Sequence, residues 1–267
     1  MKTLLDVYRV QFKVSLAIEL QYRAEVLIWL FGSTLEPVVY LVVWSTVAQT
    51  NGGSVGGYSA SAFAAYFIVL MLVNHVTFTW IMHEFEMRIR QGQFSPKLLR
   101  PIHPIHADVA DNVSYKVVGL FVLIPAAIVL TIVFHPTIQT TPWAVVAFVP
   151  ILLVAFVLRF ILEWTLALAA FWTTRVTALN QIYGLAVIFL SGQMAPLSLF
   201  PRPVQTLATI LPFRWTVAFP VELILGRVSP RDAVIGIGIQ IAWLIASFVT
   251  LRLIWHIAVR RYSAVGA

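Results

Sequence analysis

The sequence has no cysteine, few charges (11% of residues) and only four lysines. Without cysteine there is no disulfide, no thiolate metal ligand and no thiol nucleophile. Soluble domains carry about 25% charged residues, so a water-solvated globule is excluded. A composition that is 60% hydrophobic, with a mean hydropathy of +0.89, describes an integral membrane protein. No lysine follows the glycine pattern of a phosphate-binding loop, so that nucleotide motif is absent. No soluble domain, tandem repeat or low-complexity tail is visible. The net charge of +7 does not point to nucleic acid. The basic residues flank apolar runs, where they meet anionic lipid and fix topology.

What is present is a series of apolar runs, each near the roughly 20 residues a bilayer helix needs. They fall at about 26–48, 60–82, 113–134, 143–165, 178–199 and 233–258. Continuous runs of this kind predict six membrane helices and not a closed barrel, whose strands alternate. Residues 1–25 carry Lys2, Asp6, Arg9, Lys13, Glu19, Arg23 and Glu25. They read as an interfacial helix, with Leu5, Tyr8, Phe12 and Leu16 on its apolar face, and not as a cleavable signal. Lys2, Arg9, Lys13, Arg23, Arg88, Arg90, Lys97, Arg100, Lys116, Arg175, Arg252, Arg260 and Arg261 fall on one side of the predicted topology. The positive-inside bias therefore predicts cytoplasmic termini and a cytoplasmic 83–112 loop. Gly52, Gly53, Gly56 and Gly57 read as a flexible external turn. The 200–232 segment is greasy but cut by Pro212 and Pro220, and reads as an external re-entrant hairpin.

The 83–112 stretch, HEFEMRIRQGQFSPKLLRPIHPIHADVADN, is the one long polar segment between strongly apolar runs. Glu84 with Arg88 and Glu86 with Arg90 are acid-first pairs at helical spacing. Gly92 offers a stop, and Ser95-Pro96 opens a second short helix through Lys97, Leu98, Leu99 and Arg100 before Pro101. Phe85, Ile89, Leu98 and Leu99 are candidate anchors for a partner's groove. His103, His106, Asp108 and Asp111 resemble a metal cluster only superficially, because Pro104 breaks the helix that would align them. No metal is expected, and Asp111-Asn112 is read as the cap of the third run.

Ionisable and amide side chains inside the runs need an account, since each costs about 2.5–3.5 kcal/mol on insertion scales when charged. Glu36, followed by Pro37, is either a pathway or gate residue or a carboxyl bonded to a neighbouring helix. Arg159 and Glu163 are four apart and can pair within one helix. Asn74 and His75 either line a polar path or join helices. Gln193, between Gly192 and Pro196, marks a bend.

The order of these parts resembles the membrane subunit of a type 2 ATP-binding cassette exporter, the ABC-2 permease family. The passages that carry it are YRAEVLIWLFGSTLEPVVYLVVW, EFEMRIRQGQFSPKLLRP and SGQMAPLSLFP…LPFRWTVAFPVELILGR. The resemblance implies an all-α membrane fold, a bacterial six-span half-transporter that pairs with an identical or similar second permease. It implies cytoplasmic ATPase subunits that bind ATP and magnesium themselves, so this chain holds no cofactor. The coupling contact would involve Phe85, Arg88, Ile89, Ser95, Lys97, Leu98, Leu99 and Arg100. The 200–232 hairpin would cap the outer end of the pathway. A lipid-modifying enzyme, with Ser191 and His75 as its loosest candidates, and an energy-independent facilitator are the competing readings.

Overall fold

A computed structural model describes residues 4–173 and 176–261; Lys2 and Arg175, used in the charge count, lie outside the described residues. The architecture is helical apart from one two-residue hairpin. Helix α1 (Leu4–Gln21) leads into α2 (Arg23–Thr50). The hairpin β1 (Ser54–Val55) and β2 (Tyr58–Ser59) follows, and then α3 (Ala60–Thr77), α4 (Ile81–Arg90) and α5 (Ser95–Leu98). Next come α6 (Ile105–Phe134), α7 (Pro142–Ala167) and α8 (Thr177–Leu190). Three short helices, α9 (Arg202–Ile210), α10 (Phe213–Thr216) and α11 (Ala218–Ile224), precede the long α12 (Pro230–Arg261).

Among the described residues, five segments are long and apolar enough to cross a membrane: α2, α3 with α4, α6, α7 with its terminal 3-10 turn, and α12. The run expected at 178–199 behaves differently. Its helix, α8, ends at Leu190 after 14 residues, a rise of about 21 Å against a hydrocarbon core of about 30 Å. The chain then turns at Gly192, whose φ of +83° is open to glycine at little cost. The Tyr66 hydroxyl donates to the Gly192 carbonyl at 2.8 Å, and Trp44 Nε1 donates to the Met194 carbonyl at 3.0 Å. Polar side chains from the neighbouring helices thus satisfy backbone that the missing helix would have satisfied.

Helix α3 is the buried centre. Phe63, Tyr66, Phe67 and Leu70 pack with Leu30 and Leu41 of α2, Leu123 of α6 and Val221 of α11. A second core joins Ile81, Met82 and Phe85 of α4 to Phe160 and Trp164 of α7 and Leu251 of α12. Close approach of α3 and α6 depends on Gly119: a Cβ there would lie 2.2 Å from the His75 ring. Gly119→Ala is expected to displace His75 and to cost about 1–3 kcal/mol of stability, read as a lowered unfolding midpoint of the purified protein.

Several expectations need correction. The second run is not one helix: Phe78, Thr79 and Trp80 interrupt it between α3 and α4. Helix α6 begins at Ile105, so Asp111 and Asn112 lie inside it and do not cap it. Helix α1 turns a partly polar face inward. Asp111 accepts hydrogen bonds from Gln11 (3.0 Å) and Ser15, and the Tyr8 hydroxyl shares one with His106 Nδ1 (2.8 Å). Its outward stripe is Val10, Val14 and Ile18, and Tyr8, Phe12 and Leu16 are half-buried. The glycine turn is an ordered hairpin, Val55 opposite Tyr58, with the Arg227 guanidinium 3.6 Å from the Tyr58 ring centre. Pro212 precedes α10 as expected, but Pro220 sits within α11. The fully buried Gln240 of α12 donates to the Trp215 carbonyl at 2.8 Å, which ties this broken segment to the bundle.

Candidate functional site

The polar segment folds into a platform at the end of the bundle that holds α4 and α5. Both predicted pairs form: Arg88 with Glu84, and Arg90 Nη1 with Glu86 Oε1 at 3.5 Å. Gly92 (φ +68°) ends α4, as its position suggested. Phe94, not Ser95, occupies the cap position of α5, and Ser95 is its first helical residue. At the platform's centre lies Asp108 of α6, only 1% exposed. It receives Arg88 Nη1 (2.8 Å), Lys97 Nζ (3.0 Å) and Trp164 Nε1 (3.0 Å). One carboxylate thus ties α4, α5, α6 and α7 together. Sequence reasoning considered Asp108 only as a metal look-alike, because its cations lie 11 and 20 residues away.

The anchors predicted for a partner mostly face inward. Phe85 is completely buried against Phe94 and Trp164, and Ile89 and Leu98 pack on the same core. That corrects the reading of Phe85 as a surface anchor. Arg88 and Lys97 are spent on Asp108. Leu99 stands out at 87% exposure, with Met87, Arg90 and Arg100 also open on the same platform. His103 packs against Trp255 with ring centres 4.3 Å apart and planes tilted by 52°. Burial, and then the neighbouring His106, lower its pKa to about 4, so the imidazole is neutral at ordinary pH. Glu86 also accepts from the Val176 amide (3.1 Å) and Thr177 (3.4 Å), at the N-terminus of α8 where a carboxylate is favoured.

Above the platform lies a cavity of about 380 Å³ walled by α2, α3, α6, α7 and α8. Glu36, Asn74, His75, Arg159, Glu163 and Gln193, singled out separately in the sequence, all line it. Arg159 Nε pairs with Glu163 Oε1 at 2.8 Å, and its Nη1 donates to Asn74 (2.9 Å) and Thr77 (3.2 Å). Gln193 donates to the same Asn74 oxygen at 2.9 Å. Tyr183 donates to Glu163 at 3.1 Å, and Thr79 also donates to it. His75 Nε2 donates to the Lys116 carbonyl (3.1 Å) and Lys116 Nζ to the Phe78 carbonyl (2.7 Å). Lys116 and Thr79 are not legible in the sequence, because the interrupted backbone at 78–80 brings them into use, and Tyr183 is not because its partner Glu163 lies on another helix. Glu36 differs from the rest. It is exposed midway along α2, and no cation pairs with it among the described residues.

Compared with known families, residues 34–266 match the sequence model of the family described as ABC-2 family transporter protein. The chain belongs to that family. It is therefore a multi-pass ABC-transporter permease, a membrane component for transport. No curated protein and no solved structure matches it. The matched stretch starts inside α2, at Thr34, and runs through the cavity, the platform and α12. Helix α1 lies outside it.

Proposed function

We propose that the permease is the pathway-forming half of an exporter in a bacterial inner membrane, with both termini in the cytoplasm. It works with a second permease, identical or similar, and is driven by separate ATPase subunits that carry the ATP and magnesium. The observation that supports this reading best is the continuity between platform and cavity. Phe78, Thr79 and Trp80 line the cavity, and the next residue, Ile81, begins the platform helix α4. A push on α4 reaches the cavity wall through the interruption between α3 and α4, where Phe78 N–H still bonds the Asn74 carbonyl and the Trp80 carbonyl accepts from Glu84 N–H, a placement typical of interrupted membrane helices. Asp108 and Glu86 spread the same movement to α6, α7 and α8. Helix α8 with the Ser191–Leu199 segment would complete a sixth crossing and bring both ends to one side.

The enzyme reading is weakened by Ser191. Its hydroxyl is buried without a hydrogen-bond partner, while His75 is bonded to the Lys116 carbonyl. A serine nucleophile needs a base within hydrogen-bond reach.

Leu99→Asp is the direct test of coupling. The side chain contributes little to the protein's own core, so folding and membrane level are expected to hold. Affinity for the ATPase should fall by at least about tenfold if Leu99 is a buried anchor of that interface. Co-purification with the ATPase and vanadate-sensitive ATP hydrolysis by the complex read the outcome. Undiminished hydrolysis-driven export by the variant would move the docking surface elsewhere. Leu98→Asp is a poorer test, because Leu98 packs on the inner core.

A further inference from the structure

We infer that the cavity takes a lipophilic organic cation, an inference that deepens the exporter reading and rests on it. Three observations converge. First, the formal charges on the wall do not cancel. Arg159 and Glu163 neutralise each other at 2.8 Å, and Glu36 is left without a cationic partner among the described residues. Lys116, the nearby cation on α6, is turned to the Phe78 carbonyl. A carboxylate at mid-membrane depth is expensive unless something positive meets it. Second, Pro37 has no N–H, so the Ser33 carbonyl one turn back loses its helical donor. Ser33 lines the same wall as Glu36. Third, five aromatic side chains line the wall beside Met71, Met82 and Leu123: Trp29, Phe78, Trp80, Tyr115 and Tyr183. Trp29 and Trp80 meet edge-to-face at 5.1 Å, and Phe78 and Trp80 do the same at 5.1 Å. Ring faces with a nearby carboxylate attract an apolar cation and repel the matching anion.

Room is available as well. A Cβ added at Gly32 or Gly184, on opposite walls, meets nothing within 4 Å. The aromatic side chains can therefore bound a bulky guest and need not close on one another. A lipid tail could also fill apolar space, but it supplies no positive charge for Glu36.

The test uses the full-length permease in lipid nanodiscs, with empty nanodiscs as background, at pH 8, where an ordinary imidazole is uncharged. The probes are tetraphenylphosphonium and tetraphenylborate, of like size and opposite charge. Saturable binding of the phosphonium above the empty-nanodisc background is expected, and none of the borate when the two are titrated separately. Glu36→Gln should weaken it by at least about tenfold, and Trp29→Ala, at an exposed position on α2, by a few-fold. Equal binding of both ions, or full affinity in Glu36→Gln, overturns the inference. If Glu36→Gln fails to fold, the comparison of the two ions on the unaltered protein decides by itself. Cation binding without ATP-driven transport in the assembled complex would leave this site standing and sink the exporter reading. Transport of other solutes by a complex that ignores the phosphonium would do the reverse.

Discussion

Asp108→Ala is expected to lower the unfolding midpoint by about 6 °C or more and to abolish ATPase-coupled transport. The reason is local. Asp108 is nearly inaccessible and answers two cations and an indole N–H. Its removal leaves Arg88 and Lys97 side by side, 14% and 23% exposed, with Glu84 paired to Arg88 and Asp111 acting on it from further off. Breaking a buried pair from one side costs about 3–5 kcal/mol, and the partial exposure of Lys97 argues for the lower end. Asp108→Asn keeps an acceptor for Trp164 but not the charge, so it should fall between the alanine variant and the unaltered protein. Thermal unfolding in detergent and transport by the reconstituted complex read the two effects. Unchanged stability in both variants would mean that the platform is held by its aromatic core alone.

The second large effect concerns the pair inside the cavity. Arg159→Met leaves the Glu163 carboxylate buried with only Thr79 and Tyr183 as donors, and Glu163→Leu leaves the Arg159 guanidinium beside Asn74 and Thr77. Each single change is expected to cost about 3–5 kcal/mol, and the double change clearly less than either. A double-mutant cycle on the unfolding midpoint measures that coupling. Strictly additive losses would show that the two groups act independently despite their 2.8 Å contact.

The long helices were legible because hydropathy alone sets them. Helices α2, α7 and α12 each run beyond their apolar limits by only a few residues. The interruption at Phe78, Thr79 and Trp80 was not legible, since no glycine or proline marks it. Its causes are distant: Glu163 takes the Thr79 hydroxyl, and Lys116 takes the Phe78 carbonyl. The sequence places the start of α6 late because four of its first eight residues, His106, Asp108, Asp111 and Asn112, are polar. Their charges are answered by α1, α4 and α5, and a single-helix pattern cannot show that. The fifth run shows the opposite case. Gly192 and Pro196 announced a bend, yet their effect was larger, since the helix stops there. The six intramembrane polar residues were each noticed singly, and their convergence on one cavity follows from packing. The platform's inward and outward faces were misjudged for a related reason. Phe85, Ile89 and Leu98 look like free anchors only while Trp164 and Leu251, far along the chain, are out of view.

The docking of α1 carries an implication for biogenesis. Its bonds to α6 bridge 96 to 100 positions of sequence. During synthesis, α1 emerges long before the surface it will occupy. Helix α1 must therefore stay unseated until α6 has been made, so its docking lags its own synthesis by about a hundred residues of chain growth.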